Sequence, residues 1–147
     1  MYAYVDRPVA SLAPDRLFLV RAMRVWVLAA HRGRCPCHTL AAWFADADMV
    51  DAMPHFRMMM AALHRDARER LVFGMPDRPA VTEDEAVLLA LVAQHGEGRT
   101  SRDAVAALVK PDAAAILSRA LSGVAAELAA SPRLHPDPFP RDAGDPV

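Results

Sequence analysis

Apolar residues recur along the chain with the spacing of helices, not strands. Phe18, Ala22, Val25, Trp26 and Ala29 fall on one side of a 100° wheel, with Arg16, Arg21, Arg24, His31 and Arg32 on the other. This predicts a first helix from Pro14 to about Arg32, with the arginines on a solvated face and Gly33 ending it. Pro36 reopens the chain into a short helix through Leu40, Trp43 and Phe44. Asp46 and Asp48 mark a break or cap, and a short turn spans Met49 to Met53. Phe56, Met59, Met60 and Leu63 repeat at i, i+3, i+4 and i+7, which predicts a third helix from Pro54 to about Arg68. Thr82-Glu83-Asp84-Glu85 fits the capping box, in which threonine and glutamate each bond the other's backbone N–H. It opens a helix to His95 that is apolar nearly all round and belongs inside a bundle, with Gly96 read as its cap. Thr100-Ser101 caps a short helix to about Val109. Pro111-Asp112 opens the last helix, with Leu117, Leu121, Val124 and Leu128 on one face.

The expected fold is all-α: a single-domain orthogonal or irregular bundle of about five to six helices over residues 1–130. Residues 1–13 form an N-terminal arm, and residues 131–147 a Pro-rich irregular tail. At most one short extended segment is expected, near Leu71-Phe73. Composition agrees. Thirty of the 147 residues are alanine and one is isoleucine, which disfavours sheet. The apolar fraction of 54% is too high for a disordered chain.

Charge narrows the classes of partner. Sixteen arginines face a single lysine, Lys110, yet acids bring the net charge to −1. No global attraction to nucleic acid or anionic membrane follows. Arginine with alanine, glycine and proline, against scarce lysine, isoleucine and asparagine, also matches a GC-rich bacterial genome. The longest stretches free of Asp, Glu, Lys and Arg, Cys35–Ala45 and Ala86–Gly96, are eleven residues each, against roughly twenty for a membrane span, so none is expected. Two cysteines and no basic-then-apolar leader point to the reducing cytoplasm.

Little in the chain carries chemistry. His31, Cys35, Cys37 and His38 are the residues a zinc ion would use, and cysteines beside arginine at a helix start can have reactive thiolates. Their Cys-x-Cys spacing is not that of a knuckle, a finger or a Cys-x-x-Cys redox pair, so two small residues at a helix start is the simpler description. Asp46, Asp48 and Asp51 lack the glycine and terminal glutamate of a calcium loop. His55, His64, His95 and His135 form no ligand spacing, and no acid–base pair stands out as catalytic. Methionine fills cores and adapts to partner grooves. Met58, off the core stripe of its helix, is a candidate interface residue, with Leu17 and Val27 on the first helix.

Residues 81–128 resemble the winged-helix DNA-binding domain of bacterial response regulators in Thr82-Glu83-x-Glu85, Leu88-Leu89-Ala90-Leu91, a glycine turn and Ser101-Arg102. That resemblance implies a helix-turn-helix-like regulator, yet the would-be recognition helix from Asp112 to Ala130 holds only Arg119 as a cation. From Arg16 to Leu128 the layout is similar to small helical proteins of alphaproteobacteria grouped as a domain of unknown function. The shared parts are an Arg-studded first helix, Phe56-Arg57-Met58-Met59-Met60-Ala61-Ala62-Leu63, Leu71-Val72-Phe73, and Thr82-x-Asp84-Glu85 before Leu88-Leu89. The expected function is a non-enzymatic module that self-associates or binds a protein partner. The alternatives are a DNA-binding regulator and a metal- or thiol-dependent protein centred on Cys35, Cys37 and His38.

Overall fold

A computed structural model describes residues 3–99 and 101–134. Among them are six α-helices: α1 (Pro14–His31), α2 (Pro36–Asp46), α3 (Met53–Asp66), α4 (Glu83–Gly96), α5 (Arg102–Leu108) and α6 (Pro111–Ala130). Two 3-10 turns, Val9–Ser11 and Val50–Ala52, complete the regular structure. No strand forms among the described residues, and the only bridges are the isolated pairs Pro8–Ala80 and Ala67–Val109. The all-α bundle expected from the sequence is the observed fold.

Proline starts explain much of this order. Pro14, Pro36 and Pro111 occupy first helical positions, where the missing N–H is no loss and the fixed φ suits the helix. At the start of α4 the capping box is complete. Thr82 Oγ1 accepts from the Glu85 N–H at 3.2 Å, and the Glu85 carboxylate accepts from the Thr82 N–H at 2.9 Å. The end of α4 differs from expectation. Gly96 is its last helical residue, and Gly98 takes the left-handed turn at φ 75°. There the Gly98 N–H bonds the His95 carbonyl and the Arg99 N–H bonds the Gln94 carbonyl, satisfying the last turn. Asp48, at φ 55°, plays the same part after α2. Aspartate tolerates this conformation better than most residues. Ser101 precedes α5 without capping it, because its hydroxyl bonds Gln94 instead. Thr100 lies outside the described residues.

The long sixth helix is the hub. It packs on α3, α4, α5 and the Val50–Ala52 turn, while α1 packs on α2 and α4. Leu117, Leu121, Val124 and Leu128 enter the core as their spacing requires. α6 is also long and apolar enough to cross a membrane, with a mean hydropathy of 1.4. Here its large apolar residues are buried apart from Ile116, and its outward positions are rich in alanine. The α3–α6 approach is close because Gly123 has no side chain: a Cβ there would overlap the His55 ring. A second part of the core is aromatic. Phe18 stacks on Trp43 at 4.4 Å, and Phe44 meets both Phe18 and Phe56.

The N-terminal arm is tied down. The Val9 N–H bonds the Pro79 carbonyl at 2.7 Å, and Arg7 and Asp6 exchange backbone bonds with Val81. The tail begins with Ser131 bonded to the Ala47 carbonyl and Arg133 paired with Asp48. Residues 135–147 of the Pro-rich tail lie outside the described residues.

Candidate functional site

Between α3 and α4 the chain crosses the molecule without regular structure, over residues 67–82. The sequence offered Leu71-Phe73 as a short extended segment, and among the described residues no strand pairs with it. Side chains supply the bonds that a sheet would have given. The Val72 N–H donates to Asp84 Oδ2 at 2.5 Å, the Val72 carbonyl accepts from Thr82 Oγ1 at 2.8 Å, and the Gly74 N–H donates to Glu85 Oε1 at 2.8 Å. Residues 67–80 are half-buried to exposed, and these contacts fix the backbone of the segment against the first turn of α4.

Arg24 completes the anchor, and its position corrects the wheel. It is only 1% exposed, not on a solvated face. Its Nε donates to Glu85 Oε1 at 2.8 Å and its Nη2 to Glu85 Oε2 at 3.0 Å, a parallel two-bond pair. The remaining N–H groups reach the carbonyls of Arg78 at 2.6 Å, Ala80 at 2.9 Å and Met75 at 3.3 Å. One guanidinium thus fixes three carbonyls of the crossing segment to a carboxylate on α4. Burial raises the pKa of Glu85. The bonds from Arg24 and from the backbone N–H groups of Thr82 and Gly74 more than offset this and hold the carboxyl below its ordinary value. The other end of the segment is fixed as well. Arg68 and Leu108 join through a backbone bond of 2.9 Å, and Arg68 Nε donates to the Ala106 carbonyl at 2.7 Å.

Anchored at both ends, the segment forms one wall of a groove of about 690 Å³. Trp26, Val27 and Ala30 of α1 form a second wall, and Met60 and Leu63 of α3 the floor. Leu71 and Phe73 of the crossing segment close the apolar part. Trp26 is held edge-to-face against Phe56 at 5.6 Å. Around the rim stand exposed His31, His64, Arg68, Glu69 and Arg70. The Arg70 side chain has no hydrogen bond or ion pair among the described residues. The volume lies within the roughly 300–1,000 Å³ usual for small-molecule sites.

The residues singled out from the sequence separate. Val27 is in the groove wall. Leu17 is half-buried and packs against the core. Met58 is 39% exposed on α3. His31 reaches the groove rim, whereas Cys35 is exposed and Cys37 half-buried at the start of α2, both as free thiols. Among the described residues no three His, Cys, Asp or Glu side chains gather where one metal ion could be held, so His31, Cys35, Cys37 and His38 form no preformed zinc site. His55 packs on Gly123, and His95 is buried with Nδ1 bonded to the Leu91 carbonyl at 2.8 Å. The sequence reading missed Arg68 and Arg70 as site residues. Their signal was the change from charged to apolar across Arg68-Glu69-Arg70-Leu71-Val72-Phe73, just past a helix end.

No family model, curated protein or solved structure matches the chain.

Proposed function

We propose that this protein is a non-enzymatic binding module and that the groove between α1, α3 and residues 67–73 is where it binds. The observation that carries this reading is the double anchoring of the groove wall. Arg24 and Glu85 hold one end and the contacts of Arg68 hold the other, so the cavity is formed before any ligand arrives. A site built in advance avoids the ordering cost that weakens binding to a mobile surface. Neutral Nile red tests the reading. One saturable dye per chain is expected, abolished by Ala30→Trp, which fills the groove from an exposed helix position. Dye binding that is non-saturable, or unchanged by Ala30→Trp, overturns it.

A second reading, self-association, is favoured by Met58, Val50 and Ile116. These apolar side chains are 39–60% exposed, on three elements that pack on one another. Light scattering of the native chain beside Met58→Glu tests it: a dimer dissociated by the glutamate supports self-association, and a monomer in both excludes it.

A further inference from the structure

We infer that the groove takes a single-chain amphiphile with an anionic head group, a long-chain carboxylate being the simplest member of that class. This rests on the binding-module reading and goes further by fixing the ligand's charge and shape. The evidence is complementarity. The floor and walls are apolar: Met60 and Leu63 are nearly inaccessible, and Trp26, Val27, Leu71 and Phe73 are half-buried around them. An alkyl chain laid there leaves water on one side and buries apolar surface on both partners.

The rim has the opposite character and a definite sign. Arg68 and Arg70 are permanently charged, and Glu69 is the one acid of the lining among the described residues. The whole chain is at −1, so this cationic surplus is local to the rim. Arg70 has its full guanidinium free of protein partners among the described residues. Planar guanidinium groups match carboxylate oxygens in pairs, and such charge-assisted bonds are the stronger kind. The size of the groove favours a small molecule over a peptide helix, which would extend along a longer trough.

Three probes with the same tail and different heads test this below their micelle concentrations: laurate, dodecyl maltoside and dodecyltrimethylammonium. Calorimetry on the native chain measures affinity. Trp26 emission in a Trp43→Phe background reports location, with circular dichroism confirming the fold. Laurate is expected to bind once per chain, at least about tenfold more tightly than either other probe. Arg70→Ala, at an exposed position, is expected to remove most of that difference, and Ala30→Trp to remove binding. Equal binding of the three probes, or tighter binding of the maltoside or the cation, overturns the anionic preference and leaves the groove as the binding surface. No binding of any probe, or laurate binding that Ala30→Trp leaves intact, overturns both readings.

Discussion

Arg24 and Glu85 lie 61 residues apart in sequence and meet through two hydrogen bonds of 2.8 and 3.0 Å, each side chain at most 1% exposed. The pair joins α1 to the first turn of α4 and clasps the segment between α3 and α4. Glu85 serves two ends at once, as the acid of a helix cap and as the counterion of a buried cation.

Removing one partner leaves the other charge buried alone. Arg24→Met is therefore expected to lower stability by about 3–5 kcal/mol. Arg24→Met with Glu85→Leu is expected to recover part of the loss, since no unpaired charge remains. The carbonyls of Met75, Arg78 and Ala80 still lose a donor, so recovery is incomplete. Denaturant unfolding of the single and double variants measures both effects.

Acid should weaken the same point. Burial pushes the Glu85 carboxyl up, but Arg24 and the N–H groups of Thr82 and Gly74 bring it below its ordinary value of 4.5. The unfolded chain therefore binds this proton at a higher pH than the folded chain does. The stabilisation is complete above the ordinary value and disappears as pH falls through the lower, folded one. Thermal melting from neutral pH down to pH ~3 is expected to show an acid limb below pH ~4.5. Glu85→Gln should melt lower at neutral pH and lose less on acidification; an unchanged acid limb in that variant would remove Glu85 as its source.

The contact between Gly123 and His55 should be read out by a pair of variants. Alanine normally favours a helix over glycine by about 1 kcal/mol. At Gly123 the added methyl would overlap the His55 ring, so Gly123→Ala alone is expected to destabilise. In a His55→Ala background the same change is expected to stabilise by roughly 0.5–1 kcal/mol. A sign that does not reverse would show that α3 and α6 separate easily.

Thr82 closes both the helix and the groove wall. Thr82→Ala removes the acceptor for the Glu85 N–H and the donor to the Val72 carbonyl. A loss of about 1–2 kcal/mol is expected from the cap. Hydrogen exchange should rise at Val72 and Gly74 more than in α6, because the wall is released while the hub stays packed.

Helix starts were the most legible part of the chain. Pro14, Pro36, Pro111 and the Thr82–Glu85 box act through residues within a turn of one another, so their effect is visible in a short window of sequence. The apolar spacing of α3 and α6 was equally local. Arg24 was not legible, because its partner lies on another helix and a wheel averages polarity without knowing what stands opposite. Its neighbours Arg21 and Arg32 are exposed as read, which made Arg24 look like one of them. α4 ends one residue later than expected, at Gly96, and the left-handed turn falls at Gly98, since both glycines suit a helix end and only the hydrogen bonds decide. The groove was hidden for a related reason. Trp26 and Leu63 read as ordinary core positions and Phe73 as part of a short extended segment, and only the crossing of residues 67–73 leaves space between them.

The crossing segment also divides the helices into two sets that need each other. α1, α2 and α3 precede it and α4, α5 and α6 follow it, yet α3 lies on α6 and α1 on α4. Neither half holds a finished core. Cleavage at the exposed Asp77–Arg78 turn should therefore yield two fragments that stay associated as a complex, the Arg24–Glu85 pair serving as a fastener between them.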